Sequence, residues 1–176
     1  MEKMSPLPIH LPPVTELIRQ LAELIRPRIT PATVLVGIRS GGVWVAEALH
    51  EMLALTTPLA TLDVSLHRDD HHLGNGLKSA GHASQLPDVE AAHLILVDDV
   101  LYTGRTIRAA LNELFDYGRP ARVELAVLVD RGGRELPMAA TYCPHQITLP
   151  ASQSLNLQRD AGGAGTGFLS FSLSEK

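Results

Sequence analysis

The stretch from Leu94 to Thr106, reading LILVDDVLYTGRT, constrains this chain more than any other. Leu94, Ile95, Leu96 and Val97 make the apolar run expected of a parallel strand buried on both faces. Asp98 and Asp99 follow at once, so both acids are expected where that strand ends. In open α/β sheets, ligands bind outside the carboxyl ends of the strands. Tyr102, Thr103, Gly104, Arg105 and Thr106 come next, then Ile107, Ala110, Leu111, Leu114 and Phe115 at the spacing of a helix face. The predicted unit is strand, polar loop, helix.

A helix that opens in a Thr/Gly loop offers unpaired backbone N–H groups and the positive end of its dipole, which together favour an anion. Phosphate is the expected guest. Two carboxylates just upstream would repel that phosphate, but they accept hydrogen bonds from hydroxyls or from metal-bound water. A ribose 5-phosphate meets both conditions. The loop is not a nucleotide-binding P-loop, because no Gly-Lys-Ser/Thr follows its glycine.

Read in order, residues up to Pro13 look like a lead, and Val14 onward like a helix with Leu17, Ile18, Leu21, Leu24 and Ile25 on one face. Pro27 and Pro31 end it. Val34–Val36 is the first predicted strand. Gly37 to Gly42 is expected to be a tight loop, followed by a helix facing inward through Val45, Ala46, Leu49, Met52 and Leu53. A second strand is expected over Leu59–Leu66. The run from His67 to Pro87 has no hydrophobic period and reads as a lid or a disordered segment. Its His67-Arg68-Asp69-Asp70-His71-His72 start could instead bind metal, although such polar runs are usually solvated. Gly118-Arg119-Pro120 stops the central helix, and Val123–Val129 is a further buried strand. Beyond Tyr142 only short apolar runs remain, at Ile147–Leu149 and Phe168–Leu173, with the Gly-rich Gly162–Gly167 between them as a hairpin tip or linker.

At 176 residues the chain suits one domain able to bury its own core. Hydrophobic residues at 45% and charged ones at 19% fit a globular protein. No apolar run is long enough to cross a bilayer and the start lacks a signal-peptide core, so the expected location is the cytoplasm. A net charge of −4 advertises no polyanionic partner, and Arg19, Arg26 and Arg28 read as a solvated surface. The single cysteine, Cys143, has no partner for a disulfide and reads as inert packing.

VDDVLYTGRT resembles the phosphoribosylpyrophosphate (PRPP) motif of type I phosphoribosyltransferases. With VGIRSGG upstream, LHRDD between, and ELFDYGRPARVELAVLVDRGGRELP downstream, the chain resembles the bifunctional PyrR family over roughly Val34 to Pro137. That family combines uracil phosphoribosyltransferase activity with control of pyrimidine-operon transcription by attenuation. The resemblance implies an α/β fold of that type, with a mainly parallel central sheet flanked by helices. A small hood of terminal segments and a catalytic lid over about 67–87 complete the single domain 1–176.

It also implies the chemistry: uracil and PRPP give UMP and pyrophosphate with Mg²⁺. Asp98, Asp99 and Arg68 are then the catalytic residues, the two acids holding the ribose hydroxyls and steering metal-bound water. Arg39, Ser40 and Gly41 face pyrophosphate, and Val100, Leu101, Tyr102, Thr103, Gly104, Arg105 and Thr106 surround PRPP. Val129, Asp130 and Arg131 border the base, with Arg131 the charge expected to meet ligand. Arg134 and Glu135 could as easily be a surface pair. A homodimer or higher homo-oligomer is implied as well.

The chain departs from the family in several places. Ser40-Gly41-Gly42 stands where Thr-Arg-Gly is frequent, and His67 where the lid usually carries tyrosine. Regulators of the family commonly carry histidine at Gly133 and near Ala22, positions linked to RNA. The rival reading, a UMP- or PRPP-responsive regulator that binds pyrimidine-operon leader RNA, is weakened by those two changes.

Overall fold

The computed structural model describes residues 10–64, 84–160 and 168–175. Helix α1, Val14–Ile25, starts directly after Pro13, and its Leu17, Leu21 and Ile25 are fully buried one turn apart. Each such side chain contributes roughly 2 kcal/mol of apolar transfer. Leu24, expected on that face, is exposed. A 3₁₀ turn over Arg26–Arg28 carries Pro27 and ends the helix.

Five strands then form one sheet: β1 (Thr33–Ile38), β2 (Ala60–Leu62), β3 (His93–Leu101), β4 (Arg122–Asp130) and β5 (His145–Gln146). Their spatial order is β2-β1-β3-β4-β5, and every neighbouring pair is parallel. The crossovers include α2 (Gly41–Met52) and α3 (Arg105–Asp116). Burial is on both faces, which explains the unbroken apolar runs of β1, β3 and β4. α1 and α2 pack with Leu35, Ile95 and Val97 on one face, whereas α3 packs with Val36, Leu94 and Leu96 on the other. Beyond the sheet, β6 (Gln153–Arg159) and β7 (Leu169–Glu175) pair antiparallel, and Leu155 and Leu157 anchor this hairpin in the core beside α1.

Several boundaries differ from the sequence expectation. Gly37 and Ile38 belong to β1 rather than to the loop, because they pair with Thr61 and Leu62. β3 runs on through both acids to Leu101, since β4 continues alongside it and pairs Val100 with Val129 and Leu101 with Asp130. β2 is shorter than Leu59–Leu66; Val64 is buried beyond its end, and Leu66 lies outside the described residues. Gln85, expected inside the long loop, exchanges backbone hydrogen bonds of 2.9 and 3.0 Å with Thr61. Met52 and Phe115, placed on inward faces by periodicity, are 42% and 41% exposed because each sits near a helix end, past the edge of the core.

At the amino end of the sheet a buried carboxylate collects three partners. Glu124, 4% exposed, accepts hydrogen bonds from His93 Nε2 and from the Tyr142 hydroxyl, both at 2.9 Å, and pairs with Arg122 at 2.5 Å. His93 Nδ1 lies 3.1 Å from Thr33 Oγ1. This cluster ties β1, β3 and β4 to the segment before β5, at the end of the sheet away from the acids of β3.

Candidate active site

From β1 the chain moves outward to β2, then returns to the other side of β1 as β3 and continues to β4 and β5. That reversal opens a crevice at the carboxyl ends of β1 and β3, where open α/β sheets take ligands. β1 stops at Ile38 while β3 continues to Leu101, so the turn Arg39-Ser40 and the start of α2 fold against the exposed flank of β3. The Arg39–Ser40 peptide is cis. Two glycines permit the close approach: a Cβ at Gly42 would stand 2.2 Å from the Val97 carbonyl oxygen, and one at Gly41 2.5 Å from Asp99 Oδ2.

Asp98 is 8% exposed and accepts a hydrogen bond from the Asp99 N–H at 3.0 Å. Asp99 Oδ1 accepts from the Val100 N–H at 2.9 Å. Both acids border the crevice, and the Asp99 carboxylate lies against the start of α2. Gly104 then takes φ +92° to start α3, a left-handed conformation that suits glycine, and Thr103 Oγ1 accepts a 3.3 Å hydrogen bond from the Arg105 N–H. The Thr103 carbonyl accepts from the Glu135 and Leu136 N–H groups at 2.9 and 3.0 Å, so the loop after β4 is stitched to the loop after β3.

The loop after β4 is held by contacts among its own side chains and the neighbouring backbone. Arg131 is 3% exposed, and its guanidinium donates to the carbonyls of Gln153 at 2.8 Å and Pro150 at 3.1 Å. Its recorded partners are thus backbone oxygens and the ring of Tyr102, 3.9 Å from ring centroid to guanidinium carbon. Arg134 and Glu135 do not pair with each other. Arg134 bonds Asp130 at 2.5 Å and the Tyr102 carbonyl at 2.6 Å, and Glu135 accepts from Arg105 Nε at 2.7 Å. Asp130 also accepts from the Gly132 N–H, and Val129 is fully buried in the core. Burial raises the Cys143 thiol pKa, and its Sγ donates to the His145 carbonyl, in keeping with an unreactive group.

One cavity of about 620 Å³ gathers most of the sequence-predicted residues. Arg39, Ser40 and Gly41, the acids Asp98 and Asp99, Val100 through Thr106, and Arg131 all line it. Val129 and Asp130 are not among its lining residues, and Arg68 lies outside the described residues. Sequence reasoning missed Ser154, Leu155 and Asn156 of β6, which also line the cavity. The alternation in SLNLQ was the signal that could have revealed that strand. Among the described residues, no three His, Cys, Asp or Glu side chains converge on a metal position. Two carboxylates beside a polyphosphate-sized cavity still fit Mg²⁺, which keeps its water and binds through one or two carboxylates plus substrate phosphates.

Comparison with known proteins agrees with this geometry. Residues 10–146 match the family model of the phosphoribosyl transferase domain. The fold is similar to a hypoxanthine phosphoribosyltransferase of Trypanosoma cruzi, with a TM-score of 0.61, 20% identity and coverage of 81% of this chain and 79% of that one. It is also similar to a purine phosphoribosyltransferase of Pyrococcus horikoshii, with a TM-score of 0.55, 23% identity and coverage of 76% and 81%. Fold and site together define a type I phosphoribosyltransferase. Sequence relatives narrow the class: the bifunctional protein PyrR of Pseudomonas putida is 49% identical over 154 residues, 85% of this chain and 89% of the relative. That of Pseudomonas fluorescens is 46% identical over 158 residues, 87% and 94% of the two chains. The chain belongs to the bifunctional PyrR family.

Proposed function

We propose that this chain couples uracil to PRPP, releasing UMP and pyrophosphate, in the crevice between β1 and β3. The PyrR family pairs this transferase activity with control of pyrimidine-operon transcription. The uracil N1 forms a bond to ribose C1 as the C1–oxygen bond breaks; the electron pair leaves with pyrophosphate and the N1 proton is released. Positive charge develops on the sugar in between, so catalysis is mainly positioning and charge stabilisation.

Each part of the site has a share in that task. Asp98 and Asp99 accept hydrogen bonds from the ribose hydroxyls and hold the ring beneath the base. Thr103, Gly104, Arg105 and Thr106 enclose the 5-phosphate at the start of α3. Arg39, Ser40 and Gly41 face the departing pyrophosphate. Mg²⁺, when bound with the substrate, neutralises the leaving group. Arg68 is assigned to pyrophosphate, and the segment over about 67–87, most of which lies outside the described residues, to water exclusion, on family resemblance. We assign the activity to the cytoplasm and to a homodimer or larger homo-oligomer on the same ground.

The observation that carries this reading is the cavity in which the β1 turn, the acid pair and the start of α3 share one wall-to-wall space. Labelled uracil incubated with PRPP and Mg²⁺ tests it. Wild type is expected to form UMP. Asp98→Asn with Asp99→Asn is expected to lose about 10²-fold or more while keeping its melting profile. Wild-type protein that makes no UMP would overturn the reading.

The second reading, RNA-based regulation, follows from the family. At the two positions where regulators of the family commonly carry histidine, Ala22 is buried on α1, and a Cβ at Gly133 would stand 2.4 Å from the Tyr102 ring. Filter binding to pyrimidine-operon leader RNA tests it. UMP-enhanced binding that weakens with salt supports regulation, and absence of such binding removes it.

A further inference from the structure

We infer that Arg131 is a positioning residue that locks the hood to the phosphate loop, making the base side of the cavity depend on the occupancy of the phosphate side. The inference rests on the proposed transferase reading and goes beyond it.

The geometry is that of a three-way junction. Arg131 follows β4 directly, and its backbone N–H donates to the Leu101 carbonyl at 3.0 Å, fixing its Cα beside the end of β3. From there the guanidinium lies across the Tyr102 ring and sends one amino group to each of the Pro150 and Gln153 carbonyls. Those two residues close the turn that launches β6, with the Gln153 N–H donating to the Pro150 carbonyl at 3.0 Å. The next three residues, Ser154, Leu155 and Asn156, line the cavity.

A single planar group therefore connects a phosphate-loop side chain to the backbone of the hood. Guanidinium is suited to this, since it stacks through its face while donating through its edge; an ammonium has neither the face nor the fork. Tyr102 precedes Thr103 to Thr106, the residues assigned to the 5-phosphate. Ordering that loop around phosphate fixes the ring against which Arg131 rests. The guanidinium then fixes the Pro150 and Gln153 carbonyls, and with them Ser154 and Asn156 over the base. Phosphate binding and base binding thus share one mechanical element, which is the condition for positive coupling between two sites.

Three experiments test the inference. In wild type, PRPP added without uracil is expected to slow backbone hydrogen exchange in residues 150–157; unchanged exchange there would overturn it. In Arg131→Met, the KM for uracil is expected to rise about tenfold while PRPP affinity, measured calorimetrically without uracil, changes less than about twofold. Arg131→Lys is expected to behave like the methionine variant, because charge alone does not restore the junction. Rescue by lysine, or a parallel loss of PRPP affinity, would instead make Arg131 a direct phosphate contact. Combining Arg131→Met with Tyr102→Leu is expected to raise the uracil KM by less than the product of the single effects, and simple multiplication would refute the link. Wild type that neither binds PRPP nor makes UMP would overturn the transferase reading, whereas active wild type with unchanged exchange overturns this inference only.

Discussion

Gly41 and Asp99 approach so closely that a methyl group on Gly41 would stand 2.5 Å from Asp99 Oδ2. The turn after β1 and the acid pair of β3 are therefore one surface rather than two neighbouring ones. A residue without a side chain at the start of α2 is what lets the Asp99 carboxylate keep its place.

Gly41→Ala tests that relationship. Crowding of this kind costs about 1–3 kcal/mol, part of it relieved by rotating Asp99 away. UMP formation is expected to fall about tenfold or more, while urea titration shows only the modest stability loss. Full activity in the alanine variant would show that Asp99 has freedom the packing denies it.

Gly133 carries the second sharp contact. It has φ +68°, and a Cβ there would stand 2.4 Å from Tyr102 Cε2. Gly133→His, which installs the residue that regulators of the family commonly carry, is expected to cost about 1–3 kcal/mol. That lowers the melting temperature by roughly 2–10 °C for a chain of this size. No gain in leader-RNA affinity is expected beside it. Thermal melting and filter binding read the two effects separately, and a histidine variant that gains RNA affinity without losing stability would contradict the crowding.

Glu124 links stability to pH. Burial pushes its carboxyl up, but hydrogen bonds from His93 and Tyr142 and the charge of Arg122 together outweigh it, leaving the folded-state pKa below 4.5. A lowered folded pKa stabilises the protein above the unfolded value, and that stability is lost as pH falls through the folded one. Urea unfolding is expected to show wild type losing stability below about pH 4.5, whereas Glu124→Gln starts ~1.5–3 kcal/mol lower at neutral pH and falls less in that window. Tyr142 moves the opposite way: burial first, then its bond to Glu124, push it up to about 12. Its contribution is complete below pH 10, the ordinary tyrosine value, and declines as pH rises toward about 12. Phenolate absorbance should show a late-titrating component that disappears in Tyr142→Phe. Equal acid sensitivity of wild type and Glu124→Gln would exclude Glu124 as the group responsible.

The local patterns were legible where burial is complete on both faces or on one clear stripe. LILV in β3, LAVLV in β4 and the Leu17, Leu21, Ile25 stripe of α1 are such patterns, and each lies where periodicity places it. The expectation slipped at boundaries. β3 extends through Asp98 and Asp99 because a neighbouring strand supplies ladder partners, which no reading of β3 alone contains. Periodicity alone gives β6 little signal, because its two inward leucines sit among Gln153, Ser154 and Asn156, yet those leucines reach the main core.

Sequence alone determined the chemistry on offer: an acid pair at a strand end, a Thr/Gly loop opening a helix, and glycines where a backbone must come near. Those features depend on residues adjacent in the chain, so residue type and spacing suffice to define them. Tertiary structure decided what each charge is for. Arg131 bonds the turn before β6 because its acceptors lie 19 and 22 residues further along the chain, and Arg105 meets Glu135 from 30 residues away. A cation takes its role from whichever acceptors folding brings within about 3 Å, and that distance exists only once the sheet, the loops and the hairpin have closed on one another.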